Sequence, residues 1–153
     1  MTENVATVPT VDIDALIRKR KDPRLEAIVF ADYAVVGRDG KTTVAAIFDR
    51  VFADPEKRKT GRFFLYIKTA ETMDAPVGIT ISDPKGRLVA TATGSVDSSA
   101  FEGEPPTGVA MIVPFSLRLG PQGIDGPYWF EVFYKEQSLG GSVLNVAFRK
   151  QEG

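Results

Sequence analysis

The chain has 153 residues, of which 43% are hydrophobic and 25% are charged, and its 19 basic and 20 acidic residues give a formal charge of −1. These values are typical of one globular domain and argue against disorder over the whole length. Nucleic-acid-binding proteins usually show a strongly basic balance, so we expect no nucleic-acid partner.

Cysteine and histidine are both absent. The chain therefore cannot form a disulfide, a Cys/His zinc site or a catalytic triad with a histidine base. Acid–base chemistry would need Asp, Glu, Lys or Tyr with a strongly shifted pKa. The sequence also contains no phosphate loop, nucleophile elbow or dinucleotide fingerprint. We therefore expect no cofactor, no metal and no enzymatic activity.

Residues 1–24 are predicted to form an N-terminal extension. They carry no cationic stretch followed by an apolar one, so no secretory signal is visible and a cytoplasmic location is expected. No run in the chain reaches the ~18 apolar residues of a membrane span. Asp12 is a candidate N-cap for a short amphipathic helix with Ile13, Leu16 and Ile17 on its apolar face. Because so short a helix is marginal alone, it docks on its own domain, binds a partner or remains mobile.

From residue 25 to residue 150, short apolar stretches alternate with turn signals at the spacing typical of an all-β domain. Apolar and polar residues alternate with a period of two, which favours antiparallel pairing. We therefore predict an antiparallel two-sheet β-sandwich of about eight strands, Ig-like or jelly-roll-like, with a short N-terminal helix or arm. The predicted strands cover 25–36, 42–53, 62–69, 77–81, 88–94, 109–117, 128–134 and 142–148.

The beginning of this domain contains three short motifs: Ala31-Asp32-Tyr33-Ala34, Asp39-Gly40-Lys41 and Ala46-Ile47-Phe48-Asp49. In these motifs the domain resembles a family of small uncharacterised bacterial domains that open with an ADYA…DGK…GIFD hairpin. Residue 46 is alanine where that pattern has glycine. The resemblance covers roughly residues 25–148 and implies a β-sandwich of bacterial or phage origin, without implying a mechanism.

Asp32 and Asp49 are the candidate polar site, because each falls in a predicted strand of the first hairpin. Two carboxylates that lie close together can act as acid and base or bind a cation. The simpler interpretation is that each accepts backbone hydrogen bonds or pairs with Arg50, Arg62 or Lys68.

Trp129 and Phe133 are candidate binding residues, because they alternate with Tyr128 and Phe130 and so lie on the opposite face of their strand. An exposed aromatic pair suits a protein interface or a platform for sugar rings. Alternatively, the N-terminal helix covers this face.

The sequence therefore predicts a non-catalytic protein-interaction or structural module. We expect it to bind a protein partner, or a second copy of itself, through a sheet edge or the N-terminal segment. One alternative is a carbohydrate-binding sandwich that uses Trp129 and Phe133, and another is an enzyme that uses Asp32 and Asp49. The sequence specifies no small-molecule ligand.

Overall fold

A computed structural model describes residues 12–15, 22–94 and 108–150, and within them the chain forms ten strands and no helix beyond a single turn at 13–15. The strands are β1 (Arg24–Val36), β2 (Thr42–Phe48), β3 (Arg50–Asp54), β4 (Lys59–Thr60), β5 (Phe63–Ala70), β6 (Val77–Ser82), β7 (Leu88–Gly94), β8 (Gly108–Phe115), β9 (Gly126–Tyr134) and β10 (Gln137–Phe148).

The strands form two sheets that pack face to face, as predicted. Sheet A has the order β2-β1-β5-β8, and sheet B has the order β4-β3-β10-β9-β6-β7. All neighbours pair antiparallel except β3 and β10, which pair parallel. The predicted β-sandwich is confirmed, with this parallel pair as an addition.

The strand order distinguishes between the two sandwich topologies that the sequence left open. Strands β1, β5 and β8 correspond to A, B and E of an immunoglobulin-like sandwich, and β10, β9, β6 and β7 correspond to G, F, C and C′. Tyr128, near the start of β9, donates a hydrogen bond from its hydroxyl to the Ile124 carbonyl, 2.6 Å away. A tyrosine that bonds back to the backbone at this corner is a hallmark of the same fold.

The core lies between the sheets and is filled by the inward-facing residues of each strand. Phe30 of sheet A meets Phe130 of sheet B edge to face, with 4.9 Å between ring centroids. Phe63 and Phe115 extend this aromatic contact across sheet A. Alternation of apolar and polar residues along β5, β6 and β9 places one face of each strand in this core. The other large buried residues are Leu65, Ile67, Ile79, Ile81, Leu117, Leu119, Tyr128, Val132, Tyr134, Leu144 and Val146.

The predicted run 42–53 is two strands rather than one. The chain bends at Asp49, so β2 stays in sheet A while β3 crosses to sheet B. The Asp49 carbonyl accepts a hydrogen bond from the Asn145 amide at 2.8 Å, which holds this bend against β10. This split and the two-residue strand β4 raise the strand number from about eight to ten.

Two turns between consecutive strands contain a glycine in the left-handed conformation. Gly40, between β1 and β2, and Gly86, between β6 and β7, each have a φ of 80°. Glycine adopts such a left-handed conformation without steric cost, which explains its presence at both positions.

Candidate interaction surfaces

Strands β1 and β2 project beyond the rest of sheet A as a two-stranded ribbon. Strand β1 pairs with β5 only as far as Ala31, whereas its pairing with β2 continues to Val36. The ribbon carries exposed apolar side chains, since Tyr33 is 53% exposed and Val36 is 58% exposed. A free ribbon with apolar side chains is unusual for a part of a domain that contacts only solvent.

Strand β2 is one edge of sheet A, and its sequence lacks the charged residues and prolines that often protect an edge. Natural edge strands carry charged residues or proline, which discourage pairing with another chain. Thr42–Phe48 reads TTVAAIF and contains neither. By contrast, the opposite edge strand β8 contains an exposed proline, Pro114, a residue that sheets tolerate mainly on edge strands.

The outer face of sheet A, which turns away from the core, is apolar next to this edge. Ile47 of β2 lies opposite Ala31 of β1, which in turn lies opposite Phe64 of β5. Ile47 is 63% exposed, while Ala31 between its larger neighbours is fully buried. Val29, Tyr66 and Ile112 continue the same face along neighbouring strands. Edge strand and apolar face thus form one continuous surface.

Trp129 and Phe133 lie on the outer face of sheet B, as the alternation predicted. Trp129 is 38% exposed and has Ser82 and Val143 as its cross-strand neighbours. Phe133 is half-buried beside Gly78. Whether this face binds a sugar or a protein stays a prediction.

Of the predicted N-terminal helix, the structure describes a single turn at 13–15. The Asp12 carboxylate accepts a hydrogen bond from the Ala15 amide at 3.2 Å, which is the capping contact that the sequence predicted. Ile13 is exposed. Leu16 and Ile17 lie outside the described residues.

Asp32 and Asp49 do not share a pocket. Asp32 lies in β1 and lines a concavity, whereas Asp49 lies in the bend after β2 and is not among the residues that line it. Both side chains are exposed, and within the described residues neither forms an ion pair with Arg50, Arg62 or Lys68. Lys68 instead contacts Glu26 at 3.2 Å. Across 12–15, 22–94 and 108–150, no three acidic residues lie close enough to hold a metal ion.

The concavity beside Asp32 is basic, and we call it the arginine cleft. Its volume is about 290 Å³, and three arginines line it: Arg50 at the start of β3, Arg62 before β5 and Arg149 after β10. Phe48, Val51, Phe52, Gly61 and Phe63 complete its lining. Sequence reasoning missed this cluster because the three arginines are far apart in the chain and only the sheet pairing brings them together.

A second concavity of about 260 Å³ adjoins the arginine cleft and shares Arg149 and Phe52 with it. Lys57 and Lys59 add two further cations there, beside the Asp54 carboxylate. Hydrogen bonds from the Lys57 and Glu56 amides lower the pKa of Asp54, which keeps this carboxylate charged. Positive charge therefore predominates over both concavities.

Comparison with known proteins adds little beyond the fold. No family model matches the chain, and no curated protein matches it. Among solved structures, an immunoglobulin-like protein from Pseudomonas aeruginosa aligns with a TM-score of 0.43 and 12% identity, covering 82% of this chain and 97% of that chain. The fold assignment therefore rests on the strand order and on the two sheets themselves. In the parts of the chain that the structure describes, no helix is long and apolar enough to cross a membrane.

Proposed function

We propose that this domain is a non-catalytic interaction module that assembles with a second copy of itself through edge strand β2. The observation that carries the proposal is the composition of this edge. Thr42–Phe48 offers its unpaired backbone groups without a charge or a proline to repel another strand. An added strand on such an edge gains main-chain hydrogen bonds, and flanking side chains give specificity.

A second copy is the partner that this surface suits best. An uncharged edge strand does not attract an acidic or a basic segment electrostatically. It can pair with the same uncharged strand of a second copy without charge repulsion. In a twofold antiparallel pairing centred on Ala45, Thr43 of one copy faces Ile47 of the other, and the two sheets become one of eight strands. Each copy uses the same patch, as closed dimers of identical chains do.

This assembly also covers apolar surface that is exposed in the single chain. Ile47 and Tyr33 lie on the same outer face, close to the edge, so the partner strand and its side chains remove part of both from water. Burial of apolar area contributes about 25 cal/mol per Å², and hydrogen bonds between the two edges fix the register.

The test is sedimentation of the wild-type chain and of two matched variants across a range of concentrations. Ala45→Glu places a charge on the exposed face of β2, and Ala110→Glu places the same charge on the exposed face of the opposite edge strand, β8. We expect a wild-type dimer, a monomeric Ala45→Glu variant and a dimeric Ala110→Glu variant. A wild-type chain that stays monomeric at every concentration, or variants that behave alike, would contradict the proposal.

A chain that begins at Pro23 separates this surface from the N-terminal segment. If β2 forms the interface, the shortened chain still dimerises and remains sensitive to Ala45→Glu. Dimerisation that disappears with residues 1–22 would instead assign the interface to the N-terminal segment that contains Ile13, Leu16 and Ile17.

A further inference from the structure

The arginine cleft concentrates like charge in one small space. Arg50, Arg62 and Arg149 line it, and Asp32 is the one acidic residue among its lining residues. With arginine always charged, the cleft carries a formal charge of +2, from three positive groups and one negative group. The chain as a whole has a charge of −1, so this concentration does not follow from the overall composition.

The ion pairs within the described residues lie elsewhere in the domain. They use the cations Arg24, Lys41, Lys68, Arg87 and Lys135, and none uses an arginine of the cleft. Asp32 lines the cleft without forming an ion pair with any of the three guanidinium groups. Asp54 attracts Arg149 from the adjoining concavity, but no ion pair within the described residues neutralises Arg50, Arg62 or Arg149, and a bound anion would reduce the repulsion among them.

Each arginine extends from a backbone position that the fold holds in place. Arg50 pairs in register with Asn145 across the parallel strands, and the Arg149 amide donates to the Ala53 carbonyl at 2.9 Å. The Arg62 guanidinium lies 5.7 Å from the centre of the Phe64 ring. Cation–π contact of this kind orients a guanidinium without using its hydrogen-bond donors. All three arginines are exposed where they line the cleft, and none of their guanidinium groups donates a hydrogen bond to another described residue.

We propose that the arginine cleft binds a phosphate group carried by a ligand. The three arginines of the cleft lie outside the proposed β2 interface, although Phe48 of β2 also lines the cleft. A phosphate monoester has a charge of about −1.5 to −2 at pH 7 and three strong acceptor oxygens, which match the cleft's formal charge and its forked donors. The cleft volume of about 290 Å³ is several times the ~30 Å³ share of one water, which leaves room for a phosphate group.

Calorimetric titration with inorganic phosphate tests the site directly. We expect saturable binding that weakens about tenfold in Arg149→Gln and in Arg62→Gln, because each loses a charge-assisted bond. Arg38→Gln is the matched control, since Arg38 is exposed in the β1–β2 turn and does not line the cleft. Asp32→Asn should tighten binding, because it removes the only negative charge in the cleft's lining.

The pH dependence distinguishes a phosphate site from general attraction to anions. Affinity for a phosphate monoester such as phosphoserine should fall below about pH 6, where the monoester loses its second charge, while sulfate affinity stays constant. Absence of binding at millimolar phosphate, or equal loss in Arg38→Gln and Arg149→Gln, would overturn the proposal. The monomeric Ala45→Glu variant should keep its phosphate affinity, so failure of one proposal leaves the other standing.

Three phosphate sources identify what carries the group. The probes are inorganic phosphate, a phosphoserine peptide and phosphatidylcholine vesicles that contain phosphatidic acid. Tighter binding of the peptide would identify a phosphorylated protein, and tighter binding of the vesicles would identify a lipid headgroup. Equal affinity for all three would identify the phosphate itself as the whole determinant. With each of the three probes, binding to Arg149→Gln must be weaker than binding to the wild type.

Discussion

Tyr128 joins the loop between β8 and β9 to the core. Its ring is completely buried, and its hydroxyl donates to the Ile124 carbonyl. Burial, with the nearby Asp83 charge, raises the pKa of the phenol from its usual 10.0. The folded state therefore favours the neutral phenol, and its stability should decline as the pH rises above about 10.

Tyr128→Phe should lower the free energy of unfolding by about 1 kcal/mol, because the Ile124 carbonyl loses its donor. At alkaline pH the free energy of unfolding should also decline less in this variant than in the wild type. Urea denaturation at neutral and alkaline pH measures both effects. Tyr66→Phe is the control, since Tyr66 is half-buried on the outer face of sheet A and should change stability by less than about 0.5 kcal/mol. Equal losses in the two variants would show that the corner hydrogen bond has no special role.

Ala46 has a φ of 57°, in the left-handed region, where a Cβ atom is strained. Glycine at this position would remove the strain, because it has no Cβ atom. Ala46→Gly should therefore raise the free energy of unfolding by up to about 1 kcal/mol.

Ala45→Gly is the matched control. Ala45 precedes Ala46 in the same strand and has no positive φ, so glycine at residue 45 should destabilise the strand by about 0.5–1 kcal/mol. Thermal unfolding of both variants provides the measurement. Two variants that are both less stable than the wild type would contradict the strain at residue 46.

The turn between β6 and β7 depends on one buried carboxylate. Asp83 accepts hydrogen bonds from the Lys85 and Arg87 amides, both at 2.9 Å, and from the Arg87 guanidinium at 2.7 Å. Burial alone would raise the pKa of Asp83, but these bonds outweigh it and the pKa lies below its usual value of 3.8. Because folding lowers the pKa of Asp83, the ionised carboxylate stabilises the folded state. This stabilisation is complete above the pKa of Asp83 in the unfolded chain and is lost as the pH falls through its pKa in the folded state.

Asp83→Asn should destabilise the domain at pH 7, and the difference from the wild type should shrink below about pH 4. Unfolding free energies measured from neutral to acidic pH check this. Asp39→Asn in the exposed β1–β2 turn is the control, because Asp39 also accepts an amide hydrogen bond, from Lys41. A wild-type advantage over Asp83→Asn that persists unchanged at low pH would contradict the role of the charge.

The turns and the strand faces were predictable from sequence, whereas the partners of the strands were not. Gly40 and Gly86 mark their turns through a local requirement for positive φ, and period-2 alternation marks which residues of β5 and β9 face the core. Alternation shows which face of a strand is buried, but it does not show which strand is its neighbour. The parallel pairing of β3 with β10 was therefore not predictable from the sequence. The bend at Asp49 was missed for the same reason, since apolar residues continue on both sides of it.

At the scale of the whole molecule, both proposed surfaces lie at the same end of the domain. The ribbon extends past Ala31, and the arginine cleft begins at Asp32, the next residue of β1. The β2 edge is recognisable in the sequence, because its uncharged residues TTVAAIF are contiguous. The arginine cleft is not recognisable there, because residues 50, 62 and 149 come together only once both sheets have formed.

The position of β10 also determines when this domain can fold. The last strand of the chain lies between β9 and β3, so β3 and β4 have no sheet to join until it arrives. Contacts between segments almost 100 residues apart, such as Asn145 with Arg50, make folding slow relative to a fold built from local contacts. On the ribosome, where the chain emerges from its N-terminus, β2 and the apolar ribbon are exposed before the sandwich can close. An edge suited to pairing with its own copy is thus also, during synthesis, the part of the chain most in need of protection by a chaperone.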